Sequence, residues 1–161
     1  DWEVELGVVI GKGGRNIRAA DAMSHVAGYT IMNDVSARDQ NVRSDFPFKH
    51  DWFRGKSWDT FAPLGPVFVP ASRIADPMNI KLGLDVSGQS MQNASTSGMV
   101  FNIVEQIEYL SRLLTLRPGD LIATGTPDGV GMGRGVFLKN GDVMRAWIEG
   151  IGALENPVRF E

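Results

Sequence analysis

Glycine and proline punctuate this chain from one end to the other, and that spacing restricts what it can fold into. Nineteen glycines and eight prolines are spread over 161 residues, with no linker-like cluster, repeat or low-complexity block. Glycine admits tight turns and proline withdraws a backbone donor, so the segments between them stay short. Several short strands joined by such turns favour a closed or rolled sheet over a doubly wound one. The expected class is mainly β with a few helices, in one domain over residues 1–161.

Alternation marks the first strand, from Trp2 to Ile10: Trp2, Val4 and Leu6 face one way, and Glu3, Glu5 and Gly7 the other. After a turn at Gly11–Gly14, a short helix is expected over residues ~17–26, with Ala22, Val26 and Met23 inward. A second strand, Tyr29–Met32, runs into Asn33-Asp34. Arg38–Arg54 has no period and reads as a long surface loop. A short strand at Val67–Val69 precedes a hairpin of Ile80–Val86 and Gln89–Asn93 around a Ser87-Gly88 turn. Ile103, Val104, Ile107, Leu110, Leu113 and Leu114 form an apolar stripe at helical spacing, stopped by Arg117-Pro118-Gly119-Asp120. Strands at Leu121–Ala123, Val143–Ile148 and roughly Leu154–Arg159 complete the expectation.

Composition removes whole classes of function. Sixteen Lys and Arg against nineteen Asp and Glu, net charge −3, offer no basic footprint for nucleic acid and no polybasic membrane patch. No apolar run approaches the ~18–20 residues of a membrane span. Nothing resembles a signal peptide, so the expected location is cytoplasmic. Cysteine is absent, which excludes disulfides, Cys-zinc sites and thiol nucleophiles. The opening Asp1-Trp2-Glu3, without an initiator Met, reads as the start of a fragment of a longer protein.

Four constellations are left that carry chemistry. Glu3 and Glu5, at i and i+2 of a strand, project from one face close enough to share a cation. On spacing alone, a half-exposed edge strand with solvated glutamates is the commoner explanation. Asp34 stands where the second strand ends; with Glu3 and Glu5 it would form an all-oxygen site suited to Mg²⁺, Mn²⁺ or Ca²⁺. Turn or capping roles explain Asp34 and Asp39 equally well, and Arg38 is free to pair with either acid. Lys56 follows Gly55 in Arg54-Gly55-Lys56-Ser57, between Phe53 and Trp58. The nucleotide-loop reading of Gly-Lys-Ser fails, because His50 stands where that motif needs glycine. Finally, Ala123–Gly131 carries Thr124 and Thr126 in a glycine-rich turn able to hold a carboxylate or enolate oxygen. His25 and His50, the only histidines, have no evident partner and read as structural or solvated.

Taken in order, these segments resemble the fumarylacetoacetate hydrolase superfamily. The strings are DWEVELGVVIGK (1–12), AGYTIMNDVSARD (27–39), RGKSWDTFAPLGP (54–66), RPGDLIATGTPDGVGMG (117–133) and FLKNGDVMRAWIEGIGALEN (137–156). The resemblance implies a β-roll catalytic domain, usually in a homodimer, with Mg²⁺ or Mn²⁺ held by Glu3, Glu5 and Asp34. It implies substrate contacts from Arg38, Lys56 and Thr126, with Lys56 also catalytic. It differs at Asn41, where relatives often carry glutamine.

The substrates so implied are 2-oxo and 2,4-dioxo acids. The leading expectation is hydrolysis of a C–C bond in a 2,4-dioxo acid through a metal-stabilised enolate. Decarboxylation of an oxo acid or hydroxymuconate-type isomerisation uses the same core without water. A non-catalytic, metal-stabilised oligomerisation domain is the alternative from another class. Hydrolysis also needs a general base, expected upstream of Asp1.

Overall fold

The computed structural model describes residues 1–160. Eight strands form: β1 (Val4–Ile10), β2 (Val26–Asn33), β3 (Leu64–Pro70), β4 (Lys81–Val86), β5 (Gln89–Ser95), β6 (Leu121–Ala123), β7 (Val143–Ile148) and β8 (Gly152–Pro157). They build two four-stranded antiparallel sheets, ordered β3-β2-β1-β6 and β5-β4-β7-β8. The sheets pack through β1 against β4 and β7, β2 against β7, and β3 against β8. One core of buried side chains runs between them. The mainly β fold expected from the turn spacing is what forms.

Strand β1 is the axis of the molecule. Val4, Leu6, Val8 and Ile10 are at most 1% exposed, and each buried side chain of this size contributes about 1.5–3 kcal/mol relative to exposure. The opposite face is buried too, Glu3 and Glu5 included. The alternation is legible but its usual meaning fails: the second face is buried as well, with only Val9 of β1 partly exposed, because other elements cover both sides of the strand. The β4–β5 hairpin turns through Ser87 (φ 49°) and Gly88 (φ 83°), two consecutive left-handed residues that match the twist of the strands.

Four helices punctuate the sheets: α1 (Arg38–Asn41), α2 (Trp52–Lys56), α3 (Ile103–Leu113) and α4 (Gly131–Arg134). Only α3 has the length its period implied. Asn102 and Glu105 close its first turn reciprocally, at 3.1 and 2.8 Å, and Ile103 and Ile107 are buried. It packs on a 3-10 turn, Ala19–His25, which replaces the helix expected over ~17–26. The unperiodic stretch expected as a loop, Arg38–Arg54, instead has α1 at its start and runs into α2 at its end. Strand β3 begins at Leu64, ahead of the expected Val67, and β8 occupies Gly152–Pro157 instead of ~154–159.

Candidate metal centre

Register places the three acids. Val4 pairs with Asn33 and Glu5 with Met32 in the antiparallel β1–β2 ladder. One further step puts Asp34 across from Glu3, where the Asp34 N–H donates to the Glu3 carbonyl at 2.8 Å. Residues opposite each other share a face, and Glu5 lies two residues along it. One ligand oxygen from each of Glu3, Glu5 and Asp34 therefore falls within 4.8 Å of the others. Asn33, fully buried, fixes the strand end by accepting the Glu3 N–H at 2.9 Å.

Three buried or half-buried carboxylates repel, and the protein answers with cations and amides. Lys56 donates to Glu3 at 2.9 Å and also to Asp34. Arg38 donates to the other Glu3 oxygen and, at 2.8 Å, to Asp1. The Gly125 N–H donates to Glu5 at 2.8 Å. Burial pushes the Glu5 carboxyl up to about 7; the Gly125 N–H opposes the shift, and Asp34 and Glu3 add to it. Burial also raises Asp34, against the pull of Lys56. Burial works to lower Lys56, but its bonds to Asp34 and Glu3 prevail, and the ammonium is held charged more firmly than usual.

The two cations arrive on the two short helices of the 38–56 stretch, Arg38 on α1 and Lys56 on α2. The Ala37 N–H donates to the Gly55 carbonyl at 2.8 Å, which joins the start of α1 to α2. Gly55 is buried against Asn41, and a Cβ there would overlap the Asn41 side chain. This glycine sets the approach that brings Lys56 to the acids. Asn41, the position that differs from the expected glutamine, is buried and its Oδ1 has no hydrogen-bond partner among the described residues.

Thr126 is placed by a different device. Beyond β6 the chain continues beside β1 with hydroxyls in place of backbone donors: Thr124 Oγ1 donates to the Leu6 carbonyl at 2.8 Å and Thr126 Oγ1 to Val4 at 2.9 Å. Gly125, at φ 97°, makes the intervening bend. A cleft of about 670 Å³ is lined by Glu3, Arg38, Thr126 and residues 127–130 and 132–134. A more apolar cavity of about 580 Å³ lies on the other side of Arg38, among Phe61, Leu138 and Val158, and has none of Glu3, Glu5, Asp34 or Lys56 in its lining.

All six residues singled out from the sequence are thus accounted for: Glu3, Glu5, Asp34, Lys56 and Arg38 converge, and Thr126 borders the same cleft. Arg38 pairs with Glu3 and Asp1, not with Asp34 or Asp39. Two further polar residues, not marked by any motif, belong to the same network. Asp1 has a fully buried carboxylate, and Gln92, 1% exposed, accepts the Val4 N–H at 3.0 Å while donating to Thr126 and Pro127. Strand β5 is polar at five of its seven positions, so no local pattern marks Gln92. His25 is buried with Nδ1 at 2.7 Å from the Lys12 carbonyl, and His50 is exposed and stacked beside Trp52.

Fold and site together define a class: β-roll domains that gather three carboxylates at the end of one strand pair. The family model for the fumarylacetoacetate hydrolase C-terminal domain matches residues 1–159, and the chain belongs to that family. It is 50% identical over 160 residues to the mitochondrial oxaloacetate tautomerase FAHD2A of Bos taurus, covering 98% of this chain and 50% of that protein. A fumarylpyruvate hydrolase from Pseudomonas aeruginosa, solved with Mn²⁺ and pyruvate, superposes with TM-score 0.89 at 37% identity, over 99% of this chain and 66% of the other. A 5-carboxymethyl-2-hydroxymuconate delta-isomerase from Mycobacterium smegmatis gives 0.87 at 43% identity, over 99% and 59%. The chain spans about half the length of the curated relatives it matches. One expectation is corrected here: vertebrate relatives are named as mitochondrial proteins, which overturns the cytoplasmic placement. The absence of a membrane span and of a signal-like segment does not separate cytosol from organelle.

Proposed function

We propose that this chain carries the metal centre of an enzyme that interconverts the keto and enol forms of a 2-oxo acid, an oxaloacetate-type tautomerase. The observation that carries the reading is the convergence of Glu3, Glu5 and Asp34 within 4.8 Å, flanked by the Lys56 ammonium. The donor set fits a hard divalent cation, Mg²⁺ or Mn²⁺: it is all oxygen, two of its three carboxylates are buried, and Glu5 is costly to ionise without a positive neighbour. Such a cation supplies Lewis-acid stabilisation of an enolate.

The chain's own residues hold the cation and orient the acid, and the proton lost from C3 on enolisation returns to the enol oxygen by exchange with water. Glu3, Glu5 and Asp34 hold the cation. Lys56, kept protonated by Asp34 and Glu3, presents fixed positive charge toward a developing enolate oxygen. Arg38 offers the guanidinium fork suited to a substrate carboxylate. The Thr126 hydroxyl already donates to Val4 and accepts from Gln92, so it has one lone pair left and no free proton. Its part in substrate binding is therefore to accept or to shape the wall.

C–C hydrolysis of a 2,4-dioxo acid, the reaction expected from the resemblance, is the second reading. The similarity to a hydrolase solved with Mn²⁺ and pyruvate favours it. It needs a base to activate water, and neither His25 nor His50 lines the cleft. The homodimer belongs to the same proposal and is tested by sedimentation velocity. For the reaction, full-length protein with Mg²⁺ is given enol-oxaloacetate and, separately, an acylpyruvate. Tautomerisation predicts faster decay of enol absorbance and no cleavage of the acylpyruvate. Pyruvate plus a free acid from the acylpyruvate overturns it in favour of hydrolysis; CO₂ from oxaloacetate points to decarboxylation.

A further inference from the structure

Asp1 carries a buried carboxylate behind Arg38, at the border of the more apolar cavity, and none of the roles above uses it. Its side chain is 0% exposed, yet both oxygens are fully engaged. Oδ1 accepts the Trp2 N–H at 2.8 Å and the Gly131 N–H at 2.6 Å; Oδ2 accepts the Met132 N–H at 2.9 Å and Arg38 Nε at 2.8 Å. A buried carboxylate is retained only where such partners offset its desolvation. These partners come from separate elements: Arg38 from α1, the Trp2 amide from the residues leading into β1, and the 131–132 amides from the first turn of α4.

The geometry around Arg38 is equally committed. Nε is held by Asp1, and one terminal nitrogen by Glu3. Nε and Nη2 are so occupied, which leaves Nη1 without a bond of this kind among the described residues. Trp2 reinforces the same wall, its indole N–H donating to the Gly129 carbonyl at 3.1 Å. Position 131 is closely packed as well. A Cβ there would stand 2.8 Å from Asp1 Oδ1 and collide with the Val136 carbonyl, so glycine admits the carboxylate.

We infer that Asp1 is the positioning residue for Arg38: its carboxylate fixes the guanidinium between the metal-side acid Glu3 and the 129–134 wall, and so orients the donors that meet the substrate carboxylate. Asp1 touches no substrate and holds no cation. This inference rests on the proposed substrate-binding role of Arg38, and the test separates the two.

The experiment is a double-mutant cycle in the full-length protein, with Asp1→Asn, Arg38→Ala and the pair together. It reads kcat and KM for enol-oxaloacetate, and Mn²⁺ affinity by calorimetry. Asp1→Asn keeps one acceptor oxygen but loses the charge that orients Arg38. It is expected to raise KM about tenfold, as loss of a charge-assisted carboxylate contact does. Mn²⁺ affinity should change much less than KM, since Glu3, Glu5 and Asp34 are retained and Asp1 reaches them only through Arg38. In the Arg38→Ala background Asp1→Asn should change KM no further, because there is no guanidinium left to orient. Gly131→Ala, which crowds the same carboxylate without removing its charge, should reproduce the KM effect. Additive losses in the double variant overturn the inference, as does an Asp1→Asn protein that loses Mn²⁺ binding and cooperative melting together. An Arg38→Ala protein with unchanged KM instead overturns the role of Arg38 itself.

Discussion

At the scale of single residues, charge decides what the centre is. Glu5 is the sensitive member, because burial lifts its carboxyl to about 7 in the metal-free protein. A protonated carboxyl is a poor ligand, so cation binding must displace that proton. Mn²⁺ affinity should therefore fall about tenfold per pH unit below pH 7 and flatten above it, and calorimetry between pH 5.5 and 8.5 checks the slope. The opposite trend, or no trend, would remove Glu5 from the ligand set. Glu3→Ala and Asp34→Ala should each abolish Mn²⁺ binding, as read by calorimetry. Lys56→Met should behave differently: turnover falls by about 10²–10³ while Mn²⁺ affinity changes little or rises, because a competing positive charge has gone. Equal losses in both would make Lys56 a structural partner only.

At the scale of elements, the centre depends on how α1 and α2 dock. Gly55→Ala drives a methyl group into Asn41 and should cost about 1–3 kcal/mol, with Lys56 displaced as a consequence. Chemical denaturation measures the first effect and turnover the second. A fully stable, fully active Gly55→Ala protein would mean the close approach is not needed. These same elements show where the sequence is silent. Strand β1 and the β4–β5 hairpin are legible because period-two alternation and a Ser-Gly turn are local signals. The helices α1 and α2, of four and five residues, are too short to show a period, so they read as loop. Glu3, Glu5 and Asp34 could be grouped from motif order, yet their proximity comes from one β1–β2 register that only pairing reveals. The role of Asp1 depends on amides 130 and 131 positions away, which no local pattern announces.

For the whole molecule, two sheets pack over one core with β1 buried inside the first of them, and the acids sit at that strand's end. On the proposed ligand set, cation binding is coupled to folding, because the three acids meet only when β1, β2 and the turn after β2 are in place. Saturating Mn²⁺ should raise the melting temperature, with about 2.7 kcal/mol of stabilisation at a hundred times Kd, and EDTA should reverse it. Glu3→Ala protein should show no such shift. The central claim is that Glu3, Glu5 and Asp34 hold a divalent cation at which a 2-oxo acid is activated. Its most direct test is a crystal structure with Mn²⁺ and oxalate, an enolate-like ligand, collected to show anomalous scattering. The account predicts one anomalous peak bound by all three carboxylates, with oxalate beside it and Lys56 and Arg38 directed toward the ligand. No peak there, with Lys56 still bridging Glu3 and Asp34, would contradict it.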